Sequence, residues 1–313
     1  MGSRMWRTCA FMMTCVPMAM AIGATPAHAA TIKLTGDGVR YAAAPGEANV
    51  VRAWTEGRVL HLTDTGATAI DGKLPAGCVA VPATSGIAAD CDVRGDATLR
   101  VDLGDGNDWL EAWELPRRIS LDVQAGDGDN VVEGGSGDDR IVGGADRDTL
   151  YGGPGEDLVI GNDGNDYLRG HAGADVIRGG EGINFIIGDG GADELRGGSS
   201  FEYFTGGGGD DVVFAGGGAD DIGAGRGDDI VFGGADDDEL RGGPGADRLH
   251  GEGGNDLVRA RDGEGDVINC GSGTADIARI DTGEVDEARR SCETVKQADV
   301  VPADPPDVDA ITS

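Results

Sequence analysis

A nine-residue period runs without insertion from Ala125 to Arg259, and it constrains the fold more than any other feature of this sequence. Fifteen consecutive units fill this span, each a variant of G-G-x-G-x-D-x-U-x, where U is apolar. Clear copies begin at Gly134, Gly152 and Gly206. A short fixed period predicts a solenoid, because each unit can bury its apolar side chain only against its neighbours.

Each position of the repeat suggests a physical role. Glycines at positions one, two and four permit the backbone angles of a tight turn and let carbonyl groups approach an ion. The carboxylate at position six offers the hard oxygen that Ca²⁺ prefers. Positions seven and nine should point outward, since side chains alternate along a strand. Position eight is apolar in every unit and forms the predicted core: Val132, Ile141, Leu150, Val159, Leu168, Ile177, Ile186, Leu195, Phe204, Val213, Ile222, Val231, Leu240, Leu249 and Val258.

The motif closely resembles the hemolysin-type, or RTX, calcium-binding nonapeptide repeats of bacteria, over roughly half of the chain. The resemblance implies an all-β fold, a parallel β-roll that binds multiple Ca²⁺ ions. Six residues of each unit would form a turn and three a short strand, and two units would complete one coil.

If two units form a coil, alternate units stack and position six divides into two columns. In one column every residue is aspartate, and position four of the same units is always glycine. We call this column the intact edge. Its predicted metal ligands are Asp139, Asp157, Asp175, Asp193, Asp211, Asp229 and Asp247, with Gly135, Gly137, Gly153, Gly155, Gly173, Gly191, Gly207, Gly209, Gly227 and Gly245.

The other column, which we call the interrupted edge, departs from the motif. Its members are Asn130, Asp148, Asp166, Asn184, Glu202, Asp220, Asp238 and Asp256. Its predicted ligands are Asp148, Asp166, Asp220, Asp238 and Asp256, preceded by Asp108 in a detached forerunner of the repeat. We expect a continuous stack of calcium ions on the intact edge and a broken one here, weakest between Asn184 and Glu202.

The charge of the chain is consistent with a cation-binding roll. Acidic residues outnumber basic ones by 57 to 25, and the formal charge is −32, which disfavours a nucleic-acid partner. Strands in a sheet lie about 4.8 Å apart. Two carboxylates at that distance repel by about 3 kcal/mol at an effective dielectric constant of 20. We therefore expect the roll to fold when Ca²⁺ bridges neighbouring turns, with individual sites in the range of about 10⁻⁴–10⁻³ M.

The flanking segments indicate an exported chain. Residues 1–29 carry Arg4 and Arg7, an apolar stretch and a small-residue cleavage site at Ala29, which predict a signal peptide and a secreted protein. The alternative, a membrane anchor, is disfavoured by the short stretch and by Pro17. The predicted divisions that follow are a small β domain with an N-terminal capping role (30–124), the roll (125–259), a C-terminal cap (260–297) and a disordered tail (298–313).

Four cysteines remain after removal of the signal peptide: Cys78, Cys91, Cys270 and Cys292. An even number in an exported chain predicts disulfides. Three pairings are open, and the local one, Cys78 with Cys91 and Cys270 with Cys292, is favoured because the repeats separate the two pairs. A zinc site is the alternative, but neither pair has the C-x-x-C spacing.

Two short motifs suggest other activities. Asp64-Thr65-Gly66 resembles the signature of aspartic proteases, whose chemistry needs two carboxylates that share a proton. A second D-T-G stands at Asp281-Thr282-Gly283, but the domain around Asp64 is small and a hairpin turn after residues 58–63 explains the first copy. Arg226-Gly227-Asp228 is an adhesion-type tripeptide, but it lies within a repeat turn. We expect a non-enzymatic extracellular structural or interaction protein. The alternative is an enzyme or adhesin whose activity lies in residues 30–124.

One outward-facing feature suggests a partner. Tyr167, Phe185 and Tyr203 occupy position seven at intervals of one coil. They predict an aromatic ridge that could contact a glycan or a cell-surface ligand. Alternatively, the ridge packs against the N-terminal sheet or the cap, or it reflects only the β-propensity of aromatic residues.

Overall fold

A computed structural model describes residues 30–35, 38–43, 46–67, 77–83, 86–281, 287–288 and 291–298. The predicted signal peptide lies outside the described residues, as does the predicted tail apart from Ala298. In the described part of the chain all regular structure is β-strand, which confirms the all-β prediction. No helix in those ranges is long and apolar enough to cross a membrane.

Nine strands precede the nonapeptides. They are β1 (Thr31–Thr35), β2 (Gly38–Ala42), β3 (Val50–Glu56), β4 (Val59–Asp64), β5 (Cys78–Ala80), β6 (Ile87–Asp92), β7 (Ala97–Asp102), β8 (Trp109–Glu111) and β9 (Ile119–Gln124).

Each nonapeptide contributes one strand of three to six residues, which begins at position seven and includes the apolar position eight. These strands are β10 (Val131–Glu133), β11 (Arg140–Val142), β12 (Thr149–Pro154), β13 (Leu158–Asp163), β14 (Tyr167–Ala172), β15 (Val176–Glu181), β16 (Phe185–Gly190), β17 (Glu194–Arg196), β18 (Tyr203–Gly208), β19 (Val212–Gly217), β20 (Asp221–Arg226), β21 (Ile230–Ala235), β22 (Glu239–Arg241), β23 (Arg248–Gly253) and β24 (Leu257–Ala260).

Four further strands follow the repeats. They are β25 (Val267–Asn269), β26 (Ile277–Asp281), β27 (Glu287–Ala288) and β28 (Thr294–Ala298).

The strands form two long sheets that face each other across one core. Among the described residues the first sheet has the order β1-β2-β7-β9-β11-β13-β15-β17-β19-β21-β23-β25-β27. The second has the order β28-β26-β24-β22-β20-β18-β16-β14-β12-β10-β8-β3-β4-β6-β5. Within the repeats every strand pairs in parallel with the strand two units away, as Leu168 of β14 does with Ile186 of β16. The parallel β-roll prediction is therefore confirmed.

The core is a stack of the predicted position-eight side chains. All fifteen are buried, with exposed fractions of 0–3%. Their neighbours at positions seven and nine are mostly half-buried or exposed, as the alternation of side chains requires. Because each coil contributes only two core residues, the roll depends on stacking between coils for its hydrophobic stabilisation.

Both sheets continue across the predicted boundaries of the repeat array. On the N-terminal side β9 pairs in parallel with β11, and β8 pairs with β10. The described residues between 30 and 124 thus form the first coils of the same roll, and they close its end with the antiparallel pair β1–β2 and the antiparallel group β3-β4-β6-β5. On the C-terminal side β24 pairs with β26 and β26 with β28.

A disulfide secures each end of the described roll. Cys78 of β5 is bonded to Cys91 of β6, and Cys270 is bonded to Cys292. The locally paired arrangement predicted from the sequence is therefore confirmed.

Candidate metal-binding edges

The turns of the intact edge are joined by one repeated hydrogen bond. The backbone N–H of Asp175 donates to Oδ1 of Asp193 at 2.8 Å, and Asp193 donates to Asp211 in the same way at 2.8 Å. The bond recurs from Asp139 to Asp247 with distances of 2.8–2.9 Å. Every aspartate of this column is at most 3% exposed. The predicted ladder is thus a continuous file of buried carboxylates, one per coil.

The second carboxylate oxygen in most coils has no hydrogen-bond partner. The exceptions are the first aspartates among the nonapeptides of each edge, because Asp139 and Asp148 accept the N–H groups of Gly135 and Gly144 through Oδ2. Buried oxygens without a partner are costly, and a native fold must satisfy them. The unpaired Oδ2 atoms belong to Asp157, Asp175, Asp193, Asp211, Asp229 and Asp247 on the intact edge and to Asp108, Asp166, Asp220, Asp238, Asp256 and Asp276 on the other.

The turn glycines at positions two and four lie directly against backbone carbonyl groups of the preceding coil. Gly209 has φ of 129°, and a Cβ there would collide with the carbonyl oxygen of Gly191, one coil earlier. The other predicted glycines at positions two and four that follow an earlier nonapeptide of this edge face the carbonyl of the preceding coil in the same way. Position one has a different constraint, since a Cβ on Gly152 would meet Oδ2 of Asp157 in its own repeat. Each turn therefore brings stacked carbonyls and an unpaired carboxylate oxygen together.

This donor set fits a hard cation. In the described residues no three His, Cys, Asp or Glu side chains converge on one point, so an ion must take backbone carbonyls as well as carboxylates. Carbonyl and carboxylate oxygens in a flexible turn are the ligands that Ca²⁺ selects. The stacked turns therefore suit calcium better than zinc, which prefers nitrogen and sulfur ligands.

Burial strongly perturbs the carboxyl groups of both edges. It raises the pKa of Asp157, Asp211, Asp238 and Asp247 to about 8, against the opposing effect of a backbone hydrogen bond. Neighbouring carboxylates raise the pKa further at each of these four groups. Desolvation is thus a larger cause than the repulsion anticipated from strand spacing, and both favour neutralisation by a cation or a proton.

The sequence matches a family model whose description agrees with this geometry. The model of the RTX calcium-binding nonapeptide repeat, four copies long, matches overlapping segments that together span residues 124–267. Residues 124–267 belong to the RTX calcium-binding repeat family. Among curated protein sequences, none gives a significant match to the chain.

The interrupted edge of the RTX roll has the same ladder with one rung missing. The backbone N–H of Asp148 donates to Oδ1 of Asp166, and the backbone N–H of Asp166 donates to Oδ1 of Asn184. The ladder resumes where Glu202 donates to Asp220 at 2.7 Å. Between Asp108 and Asp256, one ladder bond is missing among the described residues. It is the bond from the backbone N–H of Asn184 to the carboxylate of Glu202. Both carboxylate oxygens of Glu202 are buried and unpaired, and burial raises its pKa to about 8.

The RTX ladders extend beyond the nonapeptides at the C-terminal end. The backbone N–H of Asp247 donates to Oδ1 of Asp266 at 2.8 Å, and that of Asp256 donates to Oδ1 of Asp276 at 2.9 Å. These steps span 19 and 20 residues instead of 18, so a strict nine-residue period omits both aspartates. The signal that identifies Asp266 is the slipped copy Asp262-Gly-Glu-Gly-Asp-Val-Ile268.

Two position-two residues of the intact edge are not glycine although their backbone is left-handed. His171 has φ of 81° and Asp189 has φ of 73°. Arg169 holds Asp189 through two contacts of 2.5 and 2.9 Å, and His171 lies 3.2 Å from the same carboxylate. Burial alone would raise the pKa of Asp189, but hydrogen bonds from His171 and Arg169 outweigh it and lower the pKa to about 2. This ionic cluster offsets the backbone strain locally.

The aromatic ridge lies on the outer face of the second sheet. Tyr167, Phe185 and Tyr203 are cross-strand neighbours on β14, β16 and β18. Phe185 is 45% and Tyr203 39% exposed, so the alternative that these two rings pack against the N-terminal sheet is wrong. The two rings stack on each other at 4.7 Å, and Phe201 meets Tyr203 edge-on at 4.6 Å.

The two short motifs are engaged in structural contacts. Asp64 is buried, and its carboxylate accepts the hydroxyl of Tyr41 at 2.5 Å and the N–H of Gly66 at 2.8 Å. Asp228 of the R-G-D tripeptide donates its N–H to Asp210 and accepts that of Ala246. Asp64 therefore stabilises a strand contact and a turn, and Asp228 joins its turn to the turns of the two neighbouring coils.

Proposed function

We propose that this chain is a secreted calcium-binding protein whose roll folds when Ca²⁺ bridges stacked Gly/Asp turns. The observation that carries the proposal is the file of buried, unpaired carboxylate oxygens along both edges. Their neighbours include the stacked carbonyls of the turn glycines, which are the remaining ligands that calcium would need.

Bound calcium would supply positive charge and oxygen coordination between successive turns. The chain's own part is to hold the acceptors in place. Oδ1 of each ladder aspartate is fixed by the N–H of the coil before it, as Asp193 is by Asp175. The second carboxylate oxygen, Oδ2, takes no part in that bond. Because the acceptors exist only when coils are stacked, the free energy of ion binding contributes directly to folding.

The test is a calcium titration of the full-length mature chain. We expect low β content by circular dichroism in EDTA at pH 7.5, and a cooperative rise with millimolar Ca²⁺. Mg²⁺ should be a poor substitute, because it requires near-octahedral geometry and releases its water reluctantly. Equal β content in EDTA and in calcium, with no ion bound in dialysis, would refute the proposal.

The proposed role is non-enzymatic and extracellular. In support, the carboxylate of Asp64 in the protease-like motif accepts hydrogen bonds from Tyr41 and from its own turn. The described N-terminal strands continue the two sheets and close the end of the roll. Mass spectrometry of culture fluid should find a mature N-terminus at Ala30. A hydrolase panel on the calcium-loaded full-length chain should show no turnover, and reproducible activity would favour the enzymatic alternative.

A second candidate function is contact with a cell-surface partner through the aromatic ridge. The exposed fractions of Phe185 and Tyr203 favour it. Each of the two rings covers one face of the other, and Phe201 meets Tyr203 edge-on, which reduces the ring face open to a sugar and favours an apolar protein contact. Replacing Tyr167, Phe185 and Tyr203 with serine should abolish cell binding. Unchanged binding to cells and to a glycan array would dismiss the ridge.

A further inference from the structure

The asparagines of the interrupted edge occupy the same ladder position as the aspartates but make a different set of bonds. Asn130 and Asn184 are both at most 1% exposed. In each, Oδ1 accepts a backbone N–H from the preceding coil at 3.0 Å, donated by Asp108 and Asp166 respectively. That bond fixes the orientation of the amide, since only the oxygen can accept a hydrogen.

The other end of each amide reaches the carbonyls of its own turn. Nδ2 of Asn130 donates to the carbonyl oxygens of Gly126 and Gly128 at 3.2 and 2.9 Å. Nδ2 of Asn184 donates to those of Gly180 and Gly182 at 3.5 and 3.3 Å. In both repeats these carbonyls belong to positions two and four.

Asparagine and aspartate have the same shape, so a position-six aspartate with the same Oδ1 bond places Oδ2 where the amide nitrogen lies. At Asp139 and Asp148, Oδ2 accepts the N–H of the position-two glycine. In the coils where Oδ2 has no hydrogen-bond partner, it faces two carbonyl oxygens with no hydrogen between them. A cation satisfies all three oxygens there, whereas the amide satisfies the two carbonyls without one.

We propose that Asn130 and Asn184 replace calcium with their own side-chain amides and close their coils in its absence. This inference rests on the proposed calcium function and specifies which coils do without an ion. Among the nonapeptides of the interrupted edge, Asn184 then divides the calcium-binding coils into two runs, Asp148–Asp166 and Asp220–Asp256, and Asn130 separates the first run from Asp108. The ladder hydrogen bond from Asn184 to Glu202 is also missing. The two runs therefore share neither a file of ions nor a continuous ladder of hydrogen bonds.

The decisive variant is Asn184→Asp in the full-length chain, which restores a carboxylate and removes the two amide donors. Equilibrium dialysis should show at least one more Ca²⁺ per chain than the wild type, and the calcium concentration for half-maximal folding should rise. Asn165→Asp is the matched control. It adds the same charge at an exposed position of the preceding coil on this edge, and its Oδ1 still accepts the N–H of Ile183. It should change neither measurement.

The reverse exchange provides a second readout. Asp193→Asn on the intact edge introduces the amide where Oδ2 is unpaired, and it should lower the ion count by at least one while the roll still folds in calcium. The inference is overturned if Asn184→Asp binds no additional ion, or if Asn165→Asp gains as many. If the wild-type chain binds no calcium, it is the proposed function that fails.

Discussion

Acid should replace calcium in folding this roll. The ladder carboxyls have pKa values raised by burial, to about 8 at Asp157, Asp211, Asp238 and Asp247. A carboxyl whose pKa is higher in the folded state binds protons preferentially when folded. Its contribution is therefore favourable below its ordinary pKa near 4 and is lost as the pH rises through the folded value.

The size of the effect follows from the shift. At pH 7 without calcium, a carboxyl moved from 3.8 to about 8 disfavours folding by on the order of 4 kcal/mol. Four such groups exceed the net stability of roughly 5–15 kcal/mol that a typical domain has. At pH 5 the same group costs only about 2 kcal/mol. We therefore expect the calcium-free roll to be unfolded at neutral pH and to gain β structure on acidification.

The assay is circular dichroism in EDTA between pH 8 and pH 4, with a parallel series in millimolar calcium. The EDTA series should show a steep transition between pH 7 and pH 5, while the calcium series should keep its β signal from pH 8 to pH 6. An EDTA sample with the same β content at pH 8 and at pH 5 would show that desolvated carboxylates do not oppose folding.

Three variants probe the structure separately. Each is read as a shift in the calcium midpoint of folding, and the third is also read by protease resistance. Gly209→Ala should destabilise the roll by at least about 1–3 kcal/mol, because φ is 129° and a carbonyl of the coil before blocks the Cβ, whereas Gly208→Ala, with open space around its Cβ, should have little effect. Leu195→Ala should cost about 2–5 kcal/mol by leaving a cavity in the core; a loss below 1 kcal/mol would contradict the core assignment. Cys270→Ser with Cys292→Ser should cost about 2–5 kcal/mol, and protease resistance of the C-terminal strands in the double variant equal to that of the wild type would argue against the clamp.

The period of nine determined most of the roll and most of its site. It placed the buried side chain of each repeat, such as Leu195, and the column of aspartates from Asp139 to Asp247, because residues at a constant separation must stack when every coil has the same length. It also located the interruption between Asn184 and Glu202, because a change in side-chain length or charge at position six is visible when alternate repeats are aligned.

Only the tertiary structure decided what happens where the period stops. The parallel pairing of β2 with β7 joins segments separated by about sixty residues with no repeat between them. Asp266 and Asp276 enter the ladders because their turns absorb one and two extra residues. Pairing at these ends is set by backbone hydrogen bonds between strands of unequal spacing, which a local pattern of side chains does not encode. The amide contacts of Asn130 and Asn184 are of the same kind: the sequence shows the exchange of aspartate for asparagine, but only the folded turn shows which carbonyls the amide meets.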